Sequence, residues 1–207
     1  MTISLSDAGK RFNREWIFRH FTYTFEEGQS YAITGPNGSG KSTLLQVIGG
    51  SMHFNEGTMR YEAGSPKSEL EPEKIYSHVS LCAPYLDVVE EMTLKEFLDF
   101  HHGFKPFLPG ITVEKTVAIL GLEKAVNKQI RYYSSGMKQR VKLAQCILSD
   151  TAIVLLDEPC TNLDAAGIEL YNSLVDDFCK KRTVIVSSND PQEYTFCREK
   201  ISIMNWK

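Results

Sequence analysis

The run Gly35-Pro36-Asn37-Gly38-Ser39-Gly40-Lys41-Ser42-Thr43 constrains this chain more than any other stretch. It has the phosphate-loop form G-x-x-x-x-G-K-[ST], which works only between a strand and a helix. Both flanks suit it: Tyr31-Ala32-Ile33-Thr34 is apolar and β-prone, and Leu44-Leu45-Gln46-Val47-Ile48 reads as the start of a helix. Gly35, Gly38 and Gly40 let the backbone turn tightly and aim successive N–H groups at one anion. Lys41 adds a cation for the outer phosphates, and the Ser42 hydroxyl suits Mg²⁺. The helix start contributes the positive end of its dipole. A strand feeding a helix through such a loop predicts an α/β chain that takes a nucleoside triphosphate.

The 207 residues suffice for one well-buried core with a lobe inserted into it. A net charge of −3 gives no electrostatic ground for expecting nucleic acid as a partner. No apolar run approaches the ~18 residues of a membrane span. Met1-Thr2-Ile3-Ser4-Leu5-Ser6-Asp7 lacks the basic-then-apolar layout of a secretory signal. Cytoplasmic placement is therefore expected. The cysteines, at 82, 146, 160, 179 and 197, form no C-x-x-C pair and read as reduced thiols. His101 and His102 are adjacent, so on a helix they point about 100° apart and do not easily share a metal.

Phe21, Tyr23 and Phe25 alternate with Thr22 and Thr24, the period of a strand with one apolar face. Glu26-Glu27-Gly28-Gln29 reads as the turn before the strand that feeds the phosphate loop. The stretch from Asn55-Glu56-Gly57 to Gly64-Ser65-Pro66 is rich in turn formers and is expected to be a connector. Helix is predicted between about Pro84 and Gln145. Thr93-Leu94-Lys95-Glu96 fits a capping box, and Leu94, Phe97, Leu98 and His101 then share one face. A further helix spans Val113 to Leu120, with Gly121 as its stop. Ile153-Val154-Leu155-Leu156 and Thr183-Val184-Ile185-Val186 read as buried strands. Ile168, Tyr171, Leu174, Val175 and Phe178 between them form a helical apolar stripe. Strands and helices alternating on both sides of a helical stretch predict a mostly parallel core sheet.

The strand Ala152-Ile153-Val154-Leu155-Leu156 ends in Asp157-Glu158-Pro159. It delivers two carboxylates where α/β sheets bind ligands, at the carboxyl ends of strands. Asp157 suits Mg²⁺, and Glu158 is placed to orient or deprotonate an attacking water.

Upstream of that strand, Tyr133-Ser134-Ser135-Gly136-Met137-Lys138-Gln139-Arg140 resembles the signature of ATP-binding cassette (ABC) ATPases, and Thr161-Asn162-Leu163-Asp164 just after it looks like their D-loop. The ordered motifs cover nearly the whole chain. The resemblance implies a phosphate-loop α/β fold with an N-terminal antiparallel β region, a core made of residues 1–83 and 146–207, and an inserted helical subdomain of residues 84–145. It implies ATP and Mg²⁺ as ligands, with Gly35, Asn37, Gly38, Ser39, Gly40, Lys41, Ser42 and Thr43 around the nucleotide. Ser42 and Asp157 then hold the metal, and Glu158 and Lys41 serve catalysis. In this family two cassettes pair head to tail, so that Ser134 and Gly136 of one copy face the nucleotide held by the other, and Asp164 of the D-loop is implied as a further nucleotide-binding residue. A second copy of this chain and a separately encoded integral membrane permease are the partners implied, with the cassette peripheral on the inner face of the membrane. An aromatic residue upstream of the loop stacks on adenine in this family. Phe12, in Lys10-Arg11-Phe12, is the first choice and Trp16 the alternative.

Two family switch positions differ. Leu81-Cys82-Ala83-Pro84-Tyr85 stands where a glutamine helps coordinate Mg²⁺, and Ala83 and Pro84 have no ligating side chain. Asn189, in Ser187-Ser188-Asn189-Asp190, occupies the place of the switch histidine. It can donate an amide hydrogen bond to a γ-phosphate but cannot carry charge. The resemblance thus implies a transporter ATPase slowed at these positions. The rival readings are a nucleotide sensor with little hydrolysis and a soluble cassette acting on ribosomes or DNA.

Overall fold

A computed structural model describes residues 1–64 and 66–207. The chain divides into two compact units, one made of residues 1–81, 151–158 and 181–207, the other of 82–150 and 159–180.

The first unit holds two sheets. Strands β1 (Thr2–Phe12) and β2 (Glu15–Phe25) form an antiparallel hairpin, turned by Asn13 at φ 53°. The phosphate loop lies between β3 (Ser30–Thr34) and helix α1 (Lys41–Ile48), as the flanking residues predict. Strands β4 (Glu56–Ala63) and β5 (Ser68–Glu69) extend the hairpin into a sheet of order β2-β1-β4-β5. The expected connector is therefore largely a strand, corrected by its pairing with β1 from Thr2↔Glu62 to Gly9↔Glu56. Gly57, which suggested a turn, sits at φ +88°, where a Cβ would lie 2.4 Å from the Asp7 carbonyl oxygen. The glycine is there to admit the bulged β1 backbone. Ser65, part of the same expectation, lies outside the described residues.

The second sheet contains β6 (Val79–Cys82), β7 (Ile153–Asp157), β8 (Thr183–Ser187) and β9 (Glu199–Ser202) in the order β6-β7-β8-β3-β9. The β7–β8, β8–β3 and β3–β9 pairs are parallel. Every residue of β7 and β8 is buried, which explains their unbroken apolar runs. Ile3, Phe21 and Phe25 of one sheet and Tyr31, Ile33 and Leu155 of the other share one core. Helix α1 approaches β7 closely enough that a Cβ on Gly49 would lie 2.8 Å from Leu155 Cδ1.

The second unit is helical: α2 (Leu94–Phe104), α3 (Val113–Leu120), α4 (Ser135–Ile147) and α5 (Ala165–Phe178). Thr93 and Glu96 make the anticipated capping box on α2, and Gly121 ends α3 in the left-handed conformation. Beyond the 84–145 expected from sequence, the helical unit also takes in residues 82–83, 146–150 and 159–180. Helix α5, assigned to the core from sequence, groups with the helical unit because it packs on α4. No helix among the described residues is long and apolar enough to cross a membrane.

Candidate functional site

The carboxyl ends of β3, β7 and β8 meet at the phosphate loop. Two backbone bonds fix their tips: Glu158 N–H donates to Ser187 O (2.9 Å) and Ser188 N–H to Ile33 O (3.2 Å), while Leu44 N–H to Gly40 O (2.9 Å) opens helix α1. A cavity of about 240 Å³ opens there, lined by Asn37, Gly38, Ser39, Gly40, Lys41, Ser42, Thr43, Glu158 and Ile17. Gly35, just before the lining residues, is fixed as glycine. At φ +153° a side chain on it would bring a Cβ within 2.8 Å of both Ile203 Cγ2 and Ser39 Oγ.

Lys41 is buried, and its ammonium crosses the loop to donate to the carbonyls of Gly35 (2.9 Å) and Pro36 (3.3 Å). Gly40 caps α1 at φ +93° with a Cβ position only 2.2 Å from Ile17 Cγ2, so no other residue fits between loop and β2. Glu158 adopts φ +43°, a left-handed conformation that is strained for a non-glycine residue. That turn brings its side chain to the cavity wall.

Asp157 ends β7 and is 1 % exposed. Burial raises its carboxyl above the usual carboxylate range, while the Ser187 and Ser42 hydroxyls and the Lys41 charge pull the other way. Its Oδ1 makes no hydrogen bond, nor do the buried Oγ atoms of Ser39 and Ser187. Buried oxygens without partners are expensive, so the donor set fits an oxygen-seeking cation beside a phosphate. Ser42 and Asp157, expected from sequence to hold a metal, would face it together.

Asn189 is brought to the same loop: its Nδ2 donates to Asn37 Oδ1 at 2.6 Å. Asp190 N–H donates to Ser188 Oγ (2.9 Å) and shapes the turn that presents it. Phe12 is 46 % exposed, with the Lys10 ammonium 4.9 Å from its ring, and is not among the residues lining the cavity. Trp16 has the Arg19 and Arg11 guanidinia over its ring, at 4.6 and 5.4 Å, and lies against Gly9.

The remaining expected residues lie in the helical unit. Ser134 caps α4, its Oγ accepting from Met137 N (3.2 Å). Gly136 sits in the first turn, where a Cβ would lie 3.1 Å from Asn162 O. Asp164 caps α5, accepting from Gly167 N (2.8 Å) and from Arg140 (3.1 Å). The Gly167 amide first, then Arg140, lowers its carboxyl below the usual range. Signature and D-loop are thus brought together at two helix starts. Gln139 of the signature is buried and donates to Pro159 O at 2.7 Å.

Residues 18–161 match the protein family described as ABC transporter. The chain belongs to that family. It is 30 % identical to an ABC transporter ATP-binding protein of Bacillus subtilis, YhcH, over 98 % of this chain, but spans only 66 % of that relative's length. It is 26 % identical to the cytochrome c biogenesis ATP-binding export protein CcmA of Agrobacterium fabrum, over 91 % of this chain and 88 % of the relative. Among solved structures, it resembles a dimeric ATP-binding cassette bound to ADP and Pi, MJ0796, with a TM-score of 0.79, 23 % identity, and 97 % and 93 % of the two chains covered. Ile17 and Ile203 were missed from sequence. Nothing local marks an isoleucine as the wall of a glycine loop until the strand pairing is known.

Proposed function

We propose that this chain is the ATP-hydrolysing subunit of a membrane ABC transporter, and that it works by closing head to tail on a second copy. The supporting observation is the cavity in which Lys41, Ser42 and Glu158 converge with the glycine loop, beside the buried, unbonded Oδ1 of Asp157. Lys41 and the loop N–H groups hold the phosphates. Ser42 and Asp157 hold Mg²⁺, which supplies charge neutralisation on the phosphates when bound. Glu158 orients the attacking water and takes its proton. The N-terminus of α4, with Ser134 and Gly136, is what the partner copy presents to the nucleotide, and Asp164 caps the neighbouring helix. Nucleotide then acts as the adhesive between copies, and hydrolysis as the release.

In this reading Asn189 replaces a chargeable donor by a neutral amide, and turnover is slower than with an imidazole there. Phe12 is the exposed ring available to adenine, since Trp16 already stacks on two guanidinia. The separately encoded permease docks near the exposed apolar side chains Tyr85, Leu86 and Phe104 of the helical unit, and holds the cassette at the inner face of the membrane.

The test compares wild type with Glu158→Gln in ATP·Mg. Hydrolysis should fall at least about 10²-fold, and the variant should accumulate as an ATP-dependent dimer in size-exclusion chromatography. Equal turnover in both proteins, or a variant that stays monomeric in saturating ATP, overturns the reading.

A further inference from the structure

Asp157 and Ser187 are the last residues of β7 and β8 and stand in register as parallel neighbours. Ser187 is 0 % exposed and Asp157 1 %. Before Ser187, β8 reads Val184, Ile185 and Val186, all apolar and buried. An alanine or valine at 187 would suit that interior better. A buried hydroxyl without a partner costs free energy that an apolar group of similar size does not. Yet Ser187 Oγ and Oδ1 of the adjacent carboxylate have no partner at full hydrogen-bond geometry, although the Ser187 hydroxyl is close enough to the carboxyl to hold it lower than burial alone would. The Ser42 hydroxyl faces the same carboxyl group from α1. Two hydroxyls thus face one buried carboxylate, and Ser187 Oγ and Asp157 Oδ1 are left without a partner of their own.

We infer that Ser187 is a positioning residue for the cation site, holding the Asp157 carboxylate from β8 and, when a metal is bound, supporting its water shell. This rests on the reading of the cavity as an ATP·Mg²⁺ site. The chemistry favours it. Mg²⁺ takes few protein ligands and keeps several waters, so its affinity depends on hydrogen-bonding groups behind the first ligands. The residues 81–85 bring no glutamine to that task, as Ala83 and Pro84 have no polar side chain. A serine on β8 gives the site a polar group that does not depend on that stretch.

The test uses Ser187→Ala, with Ser187→Thr as the variant that keeps the hydroxyl. Binding of a fluorescent ATP analogue is titrated with Mg²⁺, Mn²⁺ binding is followed by electron paramagnetic resonance, and melting is recorded without ligand. Ser187→Ala should need about tenfold more Mg²⁺ for half-saturation. Its affinity for the analogue in EDTA, and its ligand-free melting temperature, should be unchanged or higher. Ser187→Thr should restore the wild-type Mg²⁺ response. A merely structural serine reverses this pattern: melting falls, and affinity is lost equally with and without metal. That result, or an unchanged Mg²⁺ requirement in Ser187→Ala, overturns the inference while leaving the nucleotide site intact. If wild type binds the analogue at no Mg²⁺ concentration, the proposed function falls and this inference with it.

Discussion

The phosphate loop with its carboxylates and the paired starts of α4 and α5 carry motifs of similar weight, but they are built on opposite principles. The first concentrates cost. Gly40 and Glu158 have positive φ, Lys41 is buried, and Ser39, Asp157 and Ser187 each leave a buried oxygen unbonded. The second is locally content. Ser134 and Asp164 are ordinary N-caps with their backbone donors satisfied, and Asp164 is further paired with Arg140. A region that stores strain and orphaned oxygens is prepared for a ligand of its own. A region of satisfied caps gains nothing internally from a ligand, which fits the proposed reading in which it meets a phosphate already held by another copy. The comparison separates holding from sensing.

The largest effect that tests this contrast comes from adding one methyl group to a glycine in each region. Gly40→Ala forces a side chain to φ +93° and a Cβ to 2.2 Å from Ile17 Cγ2. Urea unfolding should show a loss of about 2–4 kcal/mol, together with loss of nucleotide binding. Gly136→Ala meets only Asn162 O at 3.1 Å, within a helix where alanine is favoured. Its stability should stay within about 1 kcal/mol of wild type, with monomer nucleotide affinity unchanged and ATP-driven association lost. If the two variants behave alike, the contrast is wrong.

Much of that contrast was legible in the sequence. The phosphate loop, the capping box at Thr93, Gly121 as a helix stop and the apolar strand ending at Asp157 are all local signals, and each formed where its residues predict. Strand β4 was not legible. Met59, Tyr61 and the small Ala63 mark its inward face, and Gly57 mimics a turn while serving a bulge in a partner strand some fifty residues away. The grouping of α5 with α4 depends on packing between helices, which no stripe of apolar residues specifies. Ser187 was hidden for a related reason: a serine after a strand reads as a loop residue until its register with Asp157 is known.

Burial of titratable groups sharpens the comparison on the scale of pH. In the helical unit, His101 Nε2 lies 2.8 Å from Ser149 Oγ, and burial, with Lys105 nearby, pushes its pKa down to about 4. The unfolded chain takes up this proton near pH 6.5, whereas the folded chain resists until about 4. Stability is therefore lost as pH falls through that window, by up to about 3 kcal/mol. His101→Gln should flatten this part of the profile in urea midpoints measured at pH 7 and 4.5. An unchanged difference between those midpoints would show that the acid sensitivity lies elsewhere.

Asp157 has the opposite sign, and this gives the smallest but most pointed test. Burial raises its carboxyl in the folded protein, so folding favours the protonated form. The group's contribution to stability is complete below the ordinary carboxylate range and is lost as pH rises through the folded value. At neutral pH the ligand-free protein carries a buried charge it would fold better without. Asp157→Asn should therefore raise the melting temperature at pH 7, with the gain shrinking as the pH is lowered toward the carboxylate range, and it should weaken binding of Mg²⁺-nucleotide. Ser134→Ala and Asp164→Ala remove caps that their own helices use; Ser134→Ala should lower stability by about 1 kcal/mol, and Asp164→Ala should lower it as well. Asp164→Ala also loses the Arg140 pair, whose exposed position makes it worth little. Opposite signs of ligand-free stability at the two sites, measured on the same protein under the same conditions, follow from strain on one side and satisfied caps on the other. A stabilised Ser134→Ala or a destabilised Asp157→Asn would mean that the two regions do not divide the labour of holding and sensing in this way.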